Sequence, residues 1–250
     1  MIRILSDLHL GYPNCRVQSV DQLAPLMEDV KAIVFNGDTA ELRFLQERAQ
    51  LDALCREFRV EPVFLTGNHD PTISENHCLE LADGAVFVTH GDILFHGFFP
   101  QSTEVGQACR EELEALGPDA DLLLRLQASR RAVKILEPLG LYPGFWKALA
   151  PHLWPPWRLL HILSIWMRAP SLINELVERD VPYARCILTG HTHYSGVWRR
   201  GGRLIVNTGG FVPMSRPLVA ELDGNMLTVR RIMSAHNQFW PGRIVTRREI

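Results

Sequence analysis

The chain has five cysteines, an odd number, and no two of them are spaced C-x-x-C. Cys15, Cys55, Cys78, Cys109 and Cys186 therefore give neither a disulfide framework nor a zinc–thiolate site, and reduced, packed thiols are expected. A basic excess is also missing. The net charge of -2 and pI near 6.6 lack the electrostatic footprint of a protein that coats nucleic acid, so no bulk nucleic-acid binding is expected. Long apolar runs are absent too: the uncharged stretch Leu159 to Met167 falls well short of the roughly 20 residues that span a bilayer. Met1–Ser6 runs straight into polar Asp7, without the apolar core and cleavage site of a secretory signal, so a cytoplasmic protein is expected. There is no internal repeat and no low-complexity segment.

What is present is ordinary for a globular protein with a real core. The 250 residues are 46% hydrophobic and 22% charged, enough for one large domain or a domain with an insertion. Short apolar runs ending in Gly, Asp, Asn or His recur: Ile2–Ser6, Ala32–Phe35, Val63–Thr66, Val86–Thr89 and Cys186–Thr189. Their length, Val/Ile/Phe content and turn-residue ends predict buried strands. Helical spacing lies between several of them, as in Glu41–Phe58, where Leu51, Leu54, Cys55 and Phe58 fall at i, i+3, i+4 and i+7. Strand–helix alternation predicts an α/β fold, and such folds bind ligands beyond the carboxyl ends of their strands.

Polar clusters sit at all five of those ends. Asp7-Leu8-His9 puts a carboxylate and an imidazole two residues apart. Asp38 adds an anionic oxygen able to bridge two cations, Asn68 a neutral carbonyl oxygen, and His90, His191 and His193 ring nitrogens. Nitrogen and oxygen donors without thiolate suit two divalent ions, with manganese expected and iron or zinc as alternatives. Paired metals activate water and stabilise both oxygens of an in-line displacement at phosphorus. Each cluster alone is weak, but five in succession are specific.

The chain resembles the calcineurin-like metallophosphoesterases in Asp7-Leu8-His9, Gly37-Asp38-Thr39-Ala40-Glu41, Gly67-Asn68-His69-Asp70, His90-Gly91-Asp92 and Gly190-His191-Thr192-His193. The resemblance implies a four-layer sandwich, two mixed β-sheets flanked by helices, in a single domain. It implies one metal on Asp7, His9, Asp38 and His193, and a second on Asp38, Asn68, His90 and His191. His69 would face the substrate phosphate and stabilise its charge or protonate the leaving oxygen, a task for an imidazole with a carboxylate orienter. Glu41 matches the family position of that orienter, and it equally suits a first-turn helix glutamate. Asp70 is expected to hold its loop. His77, His152, His161 and His236 match no motif; His96, six residues past His90, is a candidate to line the pocket, and Arg43, just after the Asp38 loop, could bind a substrate phosphate but is expected to be an exposed helix arginine.

The core is expected over about 1–97 and 182–233, with a helical insertion or cap over about 98–181. Within it Thr103–Leu116, Asp119–Glu137 and Ser171–Arg179 read as helices, broken at Gly117-Pro118 and Pro138-Leu139-Gly140. Arg203–Asn207, Leu218–Leu222 and Met226–Ile232 read as strands, the last two joined at Asp223-Gly224. The tail from Ser234 has no legible fold. Trp154, Trp157 and Trp166, with Arg158 and Arg168, suit a membrane surface or an acyl-chain groove, and equally a packed cap helix. The placement of the insertion is similar to that of the UDP-2,3-diacylglucosamine pyrophosphohydrolases, where it forms a lid over acyl chains. Those enzymes commonly carry Arg where this chain has His69. A phosphorylated small molecule or a lipid-linked nucleotide is the expected substrate, and a non-catalytic metal-binding scaffold is the alternative from another class.

Overall fold

The computed structural model describes residues 1–12, 15–40, 45–95, 103–136 and 157–250. Glu41, Arg43, His96, His152, Trp154 and the Pro138-Leu139-Gly140 breaker lie outside them.

Alternation of apolar residues organises the first sheet. In β1 (Ile2–Leu5) and β2 (Ala32–Asn36), Ile4 and Val34 point to one face, and Leu5, Ile33 and Phe35 to the other. Strands that are apolar on both faces must be covered on both. One side takes a 3-10 segment (Val20–Leu26) and α1 (Leu45–Glu57); the other takes a second sheet. The first sheet has the order β11-β10-β9-β1-β2-β3, with β1, β2 and β3 (Glu61–Leu65) parallel. It also holds β9 (Leu218–Asp223), β10 (Met226–Ala235) and β11 (Gln238–Glu249).

The second sheet has the order β4-β5-β6-β8-β7. Its strands are β4 (Cys78–Leu81), β5 (Val86–Thr89), β6 (Cys186–Thr189), β7 (Gly196–Arg200) and β8 (Arg203–Asn207). Val86, Val88, Cys186 and Leu188 face the first sheet, and Phe87, Ile187 and Ile205 face outward. Because β5 and β6 are parallel neighbours, the chain between them must cross over, and the crossover brings helices onto the outer face. Leu122 and Leu126 of α3 (Leu122–Leu136) and Ile173, Leu176 and Val177 of α4 (Trp157–Asp180) pack there. α2 (Thr103–Leu116) packs against α3. The result is a sandwich of two mixed sheets flanked by helices, with a long helical insertion between β5 and β6.

Several elements differ from the sequence reading. α4 begins fourteen residues earlier than the predicted Ser171 start and passes through Pro170, because its buried face carries the helix across the missing hydrogen bond. β4 and β7 are additional edge strands. The tail from Ser234 continues β10 and returns as β11 through a two-residue turn, His236-Asn237, with φ of 48° and 57°. Positive φ at both positions is the geometry that matches strand twist in tight hairpins.

Candidate metal centre

Every predicted ligand follows a strand end. Asp7 and His9 come after β1, Asp38 after β2, Asn68 after β3, His90 after β5, and His191 and His193 after β6. The loops after β1 and β2 remain laced together: Asp7 N donates to Gly37 O at 3.1 Å and His9 N to Asp38 O at 2.9 Å. Asp7, His9, Asp38, His191 and His193 all have positive φ, between 50° and 66°. Non-glycine residues seldom adopt this region, at a cost of order 1–3 kcal/mol each. Five such residues in one place mean that the surrounding bonds over-determine the loops. Part of that restraint is Asp70, whose carboxylate accepts from Gly67 N (2.7 Å), Asp38 N (3.0 Å) and Thr39 N (2.7 Å). Asp70 thus holds its loop, as its position suggested. Gly67 is required by contact: a Cβ there would strike the Asp38 carboxylate and main-chain nitrogen.

The ligand atoms converge. Those of Asp7, His9 and His193 lie within 4.8 Å of one another, as do those of Asp38, His90 and His191, and those of His9, Asp38 and His69. His193 Nε2 is 3.2 Å from Asp7 Oδ1 and 3.1 Å from His9 Nε2. His90 Nε2 is 3.2 Å from Asp38 Oδ2 and His191 Nδ1 is 2.8 Å from Asn68 Oδ1. All seven predicted ligands are therefore gathered at the edge between the two sheets. His69 stands beside them: its ring meets His9 edge-on at 4.8 Å and its main-chain N donates to Asp38 Oδ1 at 2.8 Å. The proposed orienter Glu41 falls outside the described residues.

Charge and tautomer fit divalent cations. Asp7 and Asp38 are 0% and 1% exposed, yet among the described residues neither has a lysine or arginine within 4 Å. Burial raises both carboxyl pKa values, but the charge on His90 and further histidines outweighs it, leaving Asp7 lowered and Asp38 well below the carboxylate range. In return, burial works against a proton on His90, while Asp38 and Asp7 draw one on and raise it to about 10. His191 goes the other way, to about 3, because burial and the charge on His90 disfavour its proton. Burial and then Asp38 push Asp70 to about 6, against its main-chain hydrogen bonds. A pair of buried carboxylates calling for positive charge is what a cation satisfies. His90 Nδ1 lies 2.9 Å from Asn36 O and carries a hydrogen, so a cation that displaced the second proton would find Nε2 turned toward Asp38.

Sequence reasoning missed the residues that brace these ligands. Arg130 of α3 grips Asp92 through both terminal nitrogens (2.7 Å for Nη2 to Oδ1; Nη1 pairs with Oδ2). It also donates to Thr66 Oγ1 at 2.9 Å and Thr66 O at 3.1 Å. Asn207 holds the loop of His191 through Gly190 O at 2.6 Å. No signal marks Arg130 in the sequence, where its neighbour Arg131 is exposed. Of the histidines outside the motifs, His77 is buried against Thr66 Oγ1 at 2.8 Å and His236 sits in the last hairpin turn.

No family model and no curated protein matches this chain. Among solved structures it aligns with a predicted phosphoesterase from Streptococcus pneumoniae (16% identity, TM-score 0.44, 100% of this chain and 97% of that one). It aligns with zinc-complexed Vps29 from Entamoeba histolytica (12%, 0.44, 99% and 98%). A third likeness is a dimetal phosphatase from Danio rerio (10%, 0.47, 92% and 95%). Their names divide between sorting and hydrolysis, and at such identities and TM-scores they decide nothing for this chain.

Proposed function

We propose that this chain is a dinuclear metal-dependent hydrolase that cleaves a phosphoester or pyrophosphate bond. The observation that supports it is the convergence of three ligand groups within 4.8 Å around two buried carboxylates. In this reading Asp7, His9, Asp38 and His193 hold one ion and Asp38, Asn68, His90 and His191 the other, with manganese as the metal and iron or zinc as alternatives. Two divalent ions there would supply Lewis-acid activation of water and stabilise the oxygens of an in-line displacement at phosphorus. Asp38, common to both sets, would offer its carboxylate to either ion and screen the charge of one from the other. His69, half-buried against His9, stabilises the substrate's phosphoryl charge or gives a proton to the leaving oxygen. Glu41 is retained as its orienter from the motif alone.

The finer reading is a UDP-2,3-diacylglucosamine pyrophosphohydrolase-like activity at the inner face of a membrane. Its support is on α4, where Trp157, Leu160 and Met167 are 68%, 66% and 73% exposed. Among the described residues no helix is long and apolar enough to cross a membrane, so contact would be peripheral. Metal-stripped protein reconstituted with Mn2+, Fe2+ or Zn2+ tests both levels against an acylated UDP-sugar, a cyclic nucleotide and a generic phosphodiester. Hydrolysis of the phosphodiester alone removes the lipid-linked reading and leaves a phosphodiesterase or phosphatase for soluble nucleotides or phosphoproteins. A non-catalytic metal-binding scaffold is the second reading, since the same ligand groups would serve it. Two bound ions with no turnover on any of the three substrates would select it.

A further inference from the structure

The proposed ligands Asn68 and His90 come from different sheets. Asn68 follows β3, at an edge of the six-stranded sheet, and His90 follows β5 in the five-stranded sheet. Between the sheets lies an apolar layer that includes Leu65, Val86 and Val88. Apolar packing is non-directional and tolerates small shifts, whereas metal ligands must be held to a few tenths of an ångström. Something directional has to set the distance between these two strand ends.

Arg130 lies where that requirement is met. Thr66 is the residue after β3 and stands two before Asn68, while Asp92 stands two after His90. One guanidinium bonds both: Nε and Nη2 to Thr66, Nη1 and Nη2 to Asp92. Arg130 is 4% exposed and Asp92 3%, so the fork is fixed on all sides and screened from water. A rigid planar fork sets spacing in a way that a flexible ammonium does not. Stability alone gives a poor account of the pair, because a buried ion pair is often no better than an apolar replacement. α3 is itself held by Leu122 and Leu126 in the outer core and by Arg125, which pairs with Asp180 of α4 at 2.5 Å. The brace therefore stands on a fixed base.

The other ion's ligands are tied differently, and one of their bonds reaches His191 of the second set. His191 N donates to both Asp7 carboxylate oxygens at 3.1 Å, Phe211 N to Asp7 O at 2.9 Å, and Ser6 Oγ meets Thr208 Oγ1 at 2.6 Å. Arg130 takes part in none of these.

We propose that Arg130 is the positioning residue of the second metal site, and that by joining Thr66 to Asp92 it fixes the separation of Asn68 from His90. The proposal rests on the two-ion reading given above. It makes the helical insertion a working part of the centre, since the insertion supplies the brace.

Mn2+ titration of the metal-stripped full chain by calorimetry tests it, with Asn68→Ala marking the step that belongs to the second site. Arg130→Met should weaken that step about 10- to 100-fold, the usual loss for an outer-shell partner, and leave the other step unchanged. The spin-coupled signal of a manganese pair should fade at metal ratios where the unaltered protein shows it. Arg130→Lys, which cannot reach both partners with a fork, should fall between. If Arg130→Met does not fold, Thr66→Val removes the Nε bond together with the His77 Nδ1 contact to the same hydroxyl, keeps the Nη2 bond to Thr66 O, and should weaken the same step by a smaller factor. Equal weakening of both steps, or no change in either, overturns the proposal. An unaltered protein that binds no second ion overturns the functional reading itself, whereas two ions bound alike by both proteins overturns only the role of Arg130.

Discussion

The loops after β1 and β6 hold their ligands mainly by backbone, whereas the loops after β3 and β5 lean on side chains: Asp70 within the first of them, and Arg130 from α3 between the two. In the first half, Asp7, His9 and His193 have left-handed φ values, and main-chain bonds cross between Asp7, Gly37, His191 and Phe211. In the second, Asn68 and His90 are absent from the left-handed set, and Arg130 spans the gap between their strands. Backbone restraint needs specific residue types at specific places, so it leaves a motif. Restraint by a distant side chain leaves none. Asp38 is common to both halves, since its carboxylate lies 3.9 Å from His9 and 3.2 Å from His90.

The largest expected effect removes what the halves share. Asp38→Ala should abolish hydrolysis, a loss beyond the roughly 10²–10³-fold typical of one stabilising group, and should empty both sites. Elemental analysis showing two ions still bound would sink the bridging assignment. His69→Ala should spare both halves and act on turnover. A loss of about 10²–10⁴-fold in kcat is expected for a general acid or charge stabiliser, at unchanged metal content. If that variant loses metal instead, the His9–Asp38–His69 group is a true ligand set and His69 belongs among the ligands.

Gly210→Ala isolates the backbone half. A Cβ at Gly210 would lie 2.8 Å from Asp7 Cβ and 3.1 Å from His193, and its three nearest neighbours all belong to these two residues. Overpacking of this kind costs about 1–3 kcal/mol, which lowers Tm by several degrees in a chain this long. The Mn2+ step not marked by Asn68→Ala should weaken, the reverse of the pattern expected for Arg130→Met. Both variants weakening the same step would show that the two halves are not held separately.

The same contrast explains what could be read from the sequence. Asp7-Leu8-His9, Gly-Asn-His-Asp and Gly-His-Thr-His were legible because polar residues directly after short apolar strands have few other reasons to be there. β4, with the burial of an edge strand along Cys78-Leu79-Glu80-Leu81, and β7, ending in Arg199 and Arg200, lack the apolar pattern of buried strands. β11 contains Pro241 and Gly242 opposite irregular register in β10, and its turn is His236-Asn237 in place of a glycine turn. Arg130 and Arg131 are adjacent in one helix, and only the docking of α3 on the second sheet distinguishes a buried brace from a solvated surface charge.

The smallest effect on stability is expected outside both halves, on α4. Trp157 and Leu160 stand one helical turn apart and are 68% and 66% exposed, while Trp166 stacks on Tyr194 at 5.0 Å and donates to Thr192 O. The tryptophans of this stretch thus differ: Trp166 packs beside the His191–His193 loop, and Trp157 does not pack into the core. Surface changes away from structural features usually stay within about 0.5 kcal/mol, so Trp157→Ser with Leu160→Glu should leave the melting curve nearly in place. Cleavage of a short soluble phosphodiester should also persist, because every proposed ligand lies on the strand-end loops. An acylated substrate is different. Each methylene it buries is worth about 0.8 kcal/mol, so loss of two or more such contacts should raise KM about tenfold. Parallel kcat/KM measurements on the two substrates separate the possibilities: a loss confined to the acylated one supports an apolar contact at α4. Equal losses, with a lowered Tm, would return Trp157 and Leu160 to a packing role and remove the lipid-linked reading.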